Sequence, residues 1–206
     1  MPRIARRVAI GYPHHLTQRG NNSAPVFLDN SDYQKYLDLL LCYIQRYQVE
    51  VWAYCLMKNH LHLLIVPRTE EGLARSIGLT NMTYTQYFNR KYKRSGRIWQ
   101  NRFFSCIVGS DSYLWTVARY IENNPVKSGL VTEADAYRWS SAKAHCQGVS
   151  DDLVAEESWL TAEMSGRYRD YLKYTDAQVE EDIRLATSTG RPFAGGHFPL
   201  GKCPPA

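Results

Sequence analysis

His60-Leu61-His62 sets two imidazoles two residues apart inside an apolar run. In a strand, alternate side chains share a face, so this spacing stands the two rings side by side with Leu61 turned into the core. Two neighbouring imidazoles are a ready pair of metal ligands. The same three residues also describe two half-exposed histidines on a sheet, because so short a motif recurs by chance. Tyr120 and Asn124 lie four apart at the end of a predicted helix and so share one face, which offers the Asn124 amide oxygen as a third, oxygen-type ligand. A His, His, Asn set favours magnesium or manganese over a structural zinc. Taken without the histidines, Tyr120 packs and Asn124 ends the helix, a common place for asparagine.

A basic stretch, Arg90, Lys91, Lys93, Arg94 and Arg97, leads into Trp99 and Arg102 and mixes cations with an aromatic face. Phosphates and unstacked bases both find partners in such a segment, although a solvated loop explains the charge run as well. With Arg19 and Lys127 these residues are the candidate contacts to DNA. His14 and His15 fall on a strand beside the histidine pair, where a structural or solvated role is expected, with DNA contact as the alternative. Net charge is +5, and its distribution is uneven: residues 1–130 hold 17 Lys/Arg against 8 Asp/Glu, and residues 131–206 hold 8 against 12. A basic front portion suits a polyanion, because each neutralised phosphate releases counterions.

Other chemistries lack their residues. No serine sits in G-x-S-x-G, no Walker-type phosphate loop occurs, and no cysteine lies in a recognised catalytic context. Cys42, Cys55, Cys106, Cys146 and Cys203 are an odd, scattered set without C-x-x-C, which fits ordinary packing in a reducing compartment. No apolar run is long enough to span a bilayer and the start lacks the apolar stretch of a secretory signal, so a cytoplasmic location without membrane contact is expected.

The elements that must hold these residues follow from periodicity. Strands are predicted at His14–Arg19, Val49–Met57, Leu61–Val66 and near Phe103–Val108, with the turn Lys58-Asn59 joining the middle two as a hairpin. A helix over Asp32–Tyr47 carries the stripe Tyr36, Leu39, Leu40, Tyr43 and Ile44 behind a cap at Ser31 or Asn30. Further helices are expected over Gly72–Tyr92 and Ser112–Asn123, the latter stopped by Asn124-Pro125. The order predicts an α+β fold, an antiparallel sheet with helices packed on it, of ferredoxin-like type. The chain is long enough for one main domain, 1–146, followed by a tail, 147–206, with a tryptophan-containing segment at Tyr137–Cys146 and short helices near Arg167–Tyr174 and Ala177–Thr187. The acidic tail is expected to pack near or shield the DNA groove.

LTQRGNN at 16–22, AYCLMKNHLHLLIVP at 53–67, RIWQNRF at 97–103, RYIENNPVKSGLV at 119–131 and YRWSS at 137–141 occur in this order. Together they resemble the REP-associated tyrosine transposases, relatives of the insertion-sequence transposases that act on single-stranded DNA. The resemblance covers about residues 12–145 and fades after about 146. It implies an HUH nuclease fold in which His60, His62 and Asn124 hold Mg2+ or Mn2+. It also implies that Tyr120 attacks a DNA phosphodiester, becoming linked to the 5′-phosphate and freeing a 3′-hydroxyl. The implied partners are hairpin-forming single strands such as repetitive extragenic palindromes. Two other functions remain open at this point: a catalytically silent hairpin-binding protein of the same fold, and a metal-dependent hydrolase that uses water. A monomer is expected, because no exposed apolar stripe stands out.

Overall fold

Six elements in the order β-α-β-β-α-β make the frame: β1 (His14–Arg19), α1 (Asn30–Arg46), β2 (Val49–Met57), β3 (His60–Pro67), α2 (Gly72–Lys91) and β4 (Phe104–Ile107). The computed structural model describes residues 8–109, 111–155, 160, 162–174 and 176–191. The Gly/Pro-rich ending, 195–206, lies outside the described residues. All three strand pairings are antiparallel, in the order β2-β3-β1-β4. The chain is therefore the expected α+β sandwich with the ferredoxin-like strand order, and β1 and β3 lie at its centre.

Alternation along the strands sorts the two faces. Leu16, Leu61, Leu63 and Ile65 join Tyr36, Leu40 and Ile44 of α1 and Ile77, Tyr84 and Phe88 of α2 in one apolar cluster. Leu64 and Cys106 face the other way, into a second cluster. β2 begins with Val49 and Val51 on the first face and continues with Ala53, Cys55 and Met57 on the second. A register irregularity between Val51 and Ala53 lets β2 serve both faces.

The second face is covered from later in the chain. α3 (Asp111–Glu122) supplies Val117, Ala118 and Ile121, and α7 (Ala177–Thr189) supplies Val179 and Ile183 to the same cluster. Between them come α4 (Asn124–Lys127), α5 (Ala142–Gln147) and α6 (Ala162–Leu172). The sequence pattern stops a helix at Asn124-Pro125, but the structure adds the single turn of α4 there. Proline is tolerated because it falls in that turn's first positions, where a missing N–H forfeits no hydrogen bond. The cap of α1 is Asp29 rather than Ser31 or Asn30. Its carboxylate accepts from the backbone N–H of Ser31 and Asp32, and the Asp32 side chain accepts from the Asp29 N–H in return.

Gly20 ends β1 at a close approach of chain segments. Its N–H donates to the Asn59 carbonyl at 2.8 Å, and a Cβ there would stand 2.2 Å from the Ala24 carbonyl oxygen. Neighbouring Arg19 accepts from the Gln100 N–H, and Asn21 donates to the Ile98 carbonyl, so the 98–100 segment is stitched to this corner. Gly20→Ala must push one of these segments aside and is expected to destabilise the fold by about 2 kcal/mol, as overpacking does. The denaturant midpoint reads this directly; an unchanged midpoint would show that the corner gives way freely.

Candidate active site

The β1–β3 register decides what lies beside the histidine pair. His60 stands opposite Arg19, His62 opposite Thr17, and Leu64 opposite His15. All of these lie on the face that α3 and α7 cover, while Leu61 points into the α1/α2 cluster as its spacing predicts. The His60 and His62 rings meet edge to face with centres 5.1 Å apart. Tyr120 of α3 sets its ring edge to face against His62 at 5.4 Å and against His15 at 5.6 Å. Four residues from three elements thus form one cluster: three imidazoles around a phenol.

Burial sets the charge state of this cluster. It draws the His60 pKa down to about 4, with Arg19 adding to the effect, and that of His15 to about 3. His62 is held well below the ordinary histidine value by burial, with His15, His60 and Arg19 contributing. All three rings are neutral near pH 7 and keep lone pairs to offer. Burial raises the Tyr120 phenol above its ordinary value, and the guanidinium of Arg184, on α7, pulls part of the way back. Arg184 lies 6.0 Å from the Tyr120 ring centre and the Lys127 ammonium 5.0 Å from it.

Hydrogen bonds fix the ring orientations. His60 Nδ1 lies 2.7 Å from Asn59 Oδ1, and the Asn59 amide nitrogen donates to the Ser23 carbonyl at 3.0 Å. The oxygen end of Asn59 therefore faces His60, so His60 Nδ1 donates and its Nε2 carries the lone pair. His15 Nε2 lies 3.0 Å from His62 Nδ1, and His15 Nδ1 lies 2.7 Å from Thr187 Oγ1. Asn124 donates its amide nitrogen to the Tyr120 carbonyl at 2.6 Å and to that of Ile121. The nitrogen is thereby committed to the helix end, which leaves the amide oxygen as the donor atom for a ligand. His14 is occupied elsewhere, bonded to the Tyr12 carbonyl and the Ala9 N–H.

The candidate DNA contacts are distributed unevenly. Arg19, Arg90, Lys93, Arg94, Arg97 and Arg102 are exposed. Arg97 and Arg102 line a groove of about 430 Å3 whose walls include Gln18, Asn81, Trp99 and Phe103. Trp99 is only 8% exposed and donates its indole N–H to the Asn81 carbonyl, so it builds the wall and offers no open stacking face. Lys91 is caged by Asp29, Asp32 and Ser31 with oxygens at 2.7–2.8 Å. Lys127 pairs with Glu180 of α7 at 2.5 Å. Periodicity and motifs single out none of Asn59, Glu180, Arg184 and Thr187 as parts of the site. The sequence places His15 on a strand beside the pair, and only the β1–β3 register brings it against His62.

A second polar cluster, fully enclosed, anchors the tyrosine helix. Glu122 accepts from Ser141 Oγ and pairs with His145 Nδ1 at 2.6 Å through the same oxygen, and Ser141 Oγ also accepts from the Tyr54 N–H. Serine, histidine and carboxylate are the residue types of a hydrolase triad, but the serine gives its proton to the carboxylate instead of the imidazole. It therefore gains no base and ties α3 to β2 and α5. Burial lowers the His145 pKa, but the Glu122 carboxylate outweighs it and leaves the pKa above 6.5. A raised histidine contributes stability that is complete below pH 6.5 and lost as pH rises through the folded value. Glu122→Gln is expected to cost about 3 kcal/mol near pH 6, and the gap to wild type should narrow towards pH 9. Urea midpoints across that range check it; a gap independent of pH would remove His145 from the account.

Comparison with known proteins gives three further observations. The family model described as transposase IS200 like matches residues 11–124, which includes β1 to β4, His15, the histidine pair, Tyr120 and Asn124. A protein of Haemophilus influenzae named as a REP-associated tyrosine transposase is 32% identical over 108 residues, covering 47% of this chain and 61% of its own length. The chain thus spans less than two thirds of that relative. A solved structure of a REP-associated tyrosine transposase bound to a REP hairpin overlays with a TM-score of 0.59 at 18% identity, over 79% of this chain and 96% of that one, which is a likeness of fold. Among the described residues, no helix is long and apolar enough to cross a membrane.

Proposed function

Because the chain belongs to the family of IS200-like transposases, we propose that it is a metal-dependent single-strand DNA endonuclease and strand transferase that joins Tyr120 to the 5′-phosphate of its substrate. The observation that carries this is the contact of the Tyr120 phenol with His62, beside His60, on the face of the sheet that α3 and α7 cover. A nucleophile and two neutral imidazoles meet there with few other roles to fill.

The donor set fits a hard divalent cation. Both imidazoles are neutral with their Nδ1 side engaged, and the Asn124 oxygen remains for a ligand. The third donor in this reading is the oxygen of Asn124, whose amide nitrogen is bonded to the carbonyl of the same Tyr120 that packs on His62. His60, His62 and Asn124 would hold Mg2+ or Mn2+, and the bound ion would polarise the scissile phosphate and offset its developing charge.

The chain's own residues supply the rest. Tyr120 Oη forms a bond to phosphorus as the bond from phosphorus to the 3′-oxygen breaks. The phenol proton is lost and the departing oxygen gains one, so a free 3′-hydroxyl and a 5′-phosphotyrosine result. The phosphodiester is conserved, and a second 3′-hydroxyl reverses the step without a nucleotide cofactor. Arg184 favours the phenolate that attacks. Arg19 faces His60 and offers a cation to the phosphate beside the cleaved bond. The groove beneath Arg97 and Arg102 lies on the α2 side of the sheet, tied to Arg19 through the Gln100 N–H, and would take the adjoining single strand. The hairpin bound in the structurally similar transposase points to hairpin-bearing single strands as the substrate.

Incubating the protein with end-labelled hairpin DNA and Mn2+, followed by denaturing electrophoresis, tests this. A protein-linked band, mapped by peptide mass spectrometry to Tyr120, is the expected result. Hairpin binding without any linked band would replace the nuclease with a binding protein of the same fold.

A further inference from the structure

The proton on His62 is governed from α7, outside the segment that matches the transposase family. Thr187 has one hydroxyl proton, and the Ile183 carbonyl, one turn earlier, takes it at 2.8 Å. A carbonyl cannot donate, so the direction of that bond is settled. The same Thr187 oxygen lies 2.7 Å from His15 Nδ1 and must accept there, so His15 Nδ1 carries a proton. His15 is 1% exposed and neutral, and a neutral ring protonated at Nδ1 presents a lone pair at Nε2. That lone pair faces His62 Nδ1 at 3.0 Å, so His62 donates in turn. Cys106, paired with His15 across β1 and β4, sets its thiol 3.4 Å from the Thr187 oxygen and steadies the start of the chain.

His62, itself neutral, is left with its proton on Nδ1 and its lone pair on Nε2. We propose that Thr187 and His15 are positioning residues that hold His62 in the tautomer a metal ion binds. This rests on His62 being a metal ligand, as the nuclease function requires. His60 reaches the same form by a local device, the amide of its neighbour Asn59. The two ligands therefore differ in what supports them: His60 depends on the β2–β3 turn, and His62 depends on the seating of α7. Partner hydrogen bonds of this kind orient ligating histidines and raise their basicity.

The relay makes a prediction that simple packing does not. Thr187→Val keeps the shape and removes the acceptor. His15 Nδ1 then has no reason to hold the proton, and the favoured arrangement places it on Nε2, aimed at His62 Nδ1. His62 must then accept, which moves its own proton to Nε2 and blocks the ligating nitrogen. Thr187→Ser restores an oxygen at the same place.

The test uses the full chain free of metal, with ring-nitrogen NMR shifts of His15 and His62 and Mn2+ titration. The wild type and Thr187→Ser should show His62 protonated at Nδ1. Thr187→Val should show it shifted towards Nε2, with Mn2+ bound about 10-fold or more weakly. The wild-type spectrum and the serine variant keep the proposal open to refutation even where the valine variant folds poorly. A wild-type His62 protonated at Nε2 overturns it, as does a valine variant with unchanged shifts, whether or not its Mn2+ affinity falls. The tautomer is read without DNA, so a missing tyrosine–DNA band would defeat the nuclease and leave this result standing.

Discussion

Tyr120→Phe is expected to abolish the covalent DNA adduct while leaving hairpin binding and the fold in place. The chain contains 15 tyrosines, so the assignment needs a structural reason. Tyr36 and Tyr84 lie in the α1/α2 cluster, on the opposite face of the sheet from the histidines. Tyr168 and Tyr171 pack around Trp115 in a third cluster. Tyr120 has its ring against both His62 and His15. Phenylalanine keeps the ring and its place among Val117, Ile121 and Ile183, and it removes only the oxygen proposed to attack. Loss of a nucleophile that works with its partners as a unit costs on the order of 10^4-fold or more in rate. Linked product quantified per unit time, against Tyr171→Phe as a matched control, decides it. Residual cleavage without linkage in Tyr120→Phe would identify water as the nucleophile and a hydrolase in place of a transferase.

Local spacing made the centre of this site legible and left its surroundings hidden, for a physical reason. Alternation along a strand follows from backbone geometry, so His60, Leu61 and His62 could be assigned faces without knowing any neighbour. The helix before Asn124 is likewise a local matter. Which strand lies next to β3 is not, and only the β1–β3 register brings His15 to His62. Thr187 is more remote still, 172 positions from the histidine it contacts. The basic segment shows the opposite error of locality. Lys91 belongs to a run of cations that resembles a phosphate-binding surface, yet Asp29 and Asp32, about sixty residues earlier, close around it. Trp99 sits between arginines in the chain, but folding turns its ring towards Tyr36 and Tyr84. Motif spacing reports which side chains share a face well where one element supplies them, and poorly where the partners come from several.

His60→Ala is expected to separate metal-dependent chemistry from DNA binding. Of the two paired histidines it is the cleaner one to remove, because it is half-buried while His62 is 6% exposed and bonded to His15. Losing His62 would leave a buried imidazole on His15 without its partner, at a cost of about 1–3 kcal/mol in stability, and so confuse folding with function. Removing His60 frees the Asn59 amide, which lies at the half-open end of the hairpin where water can replace the ring. A divalent ion held by the remaining His62 and Asn124 would bind weakly, and the charge stabilisation it gives the phosphate is worth several kcal/mol. Adduct formation should therefore fall on the order of 10^3-fold at micromolar Mn2+, with partial recovery at millimolar Mn2+. Hairpin affinity measured in EDTA should be the same for wild type and variant, because Arg19, Arg97 and Arg102 are untouched. Equal adduct yields in wild type and His60→Ala at limiting Mn2+ would remove His60 from the ligand set, and with it the chemical reason for two imidazoles on one face of β3.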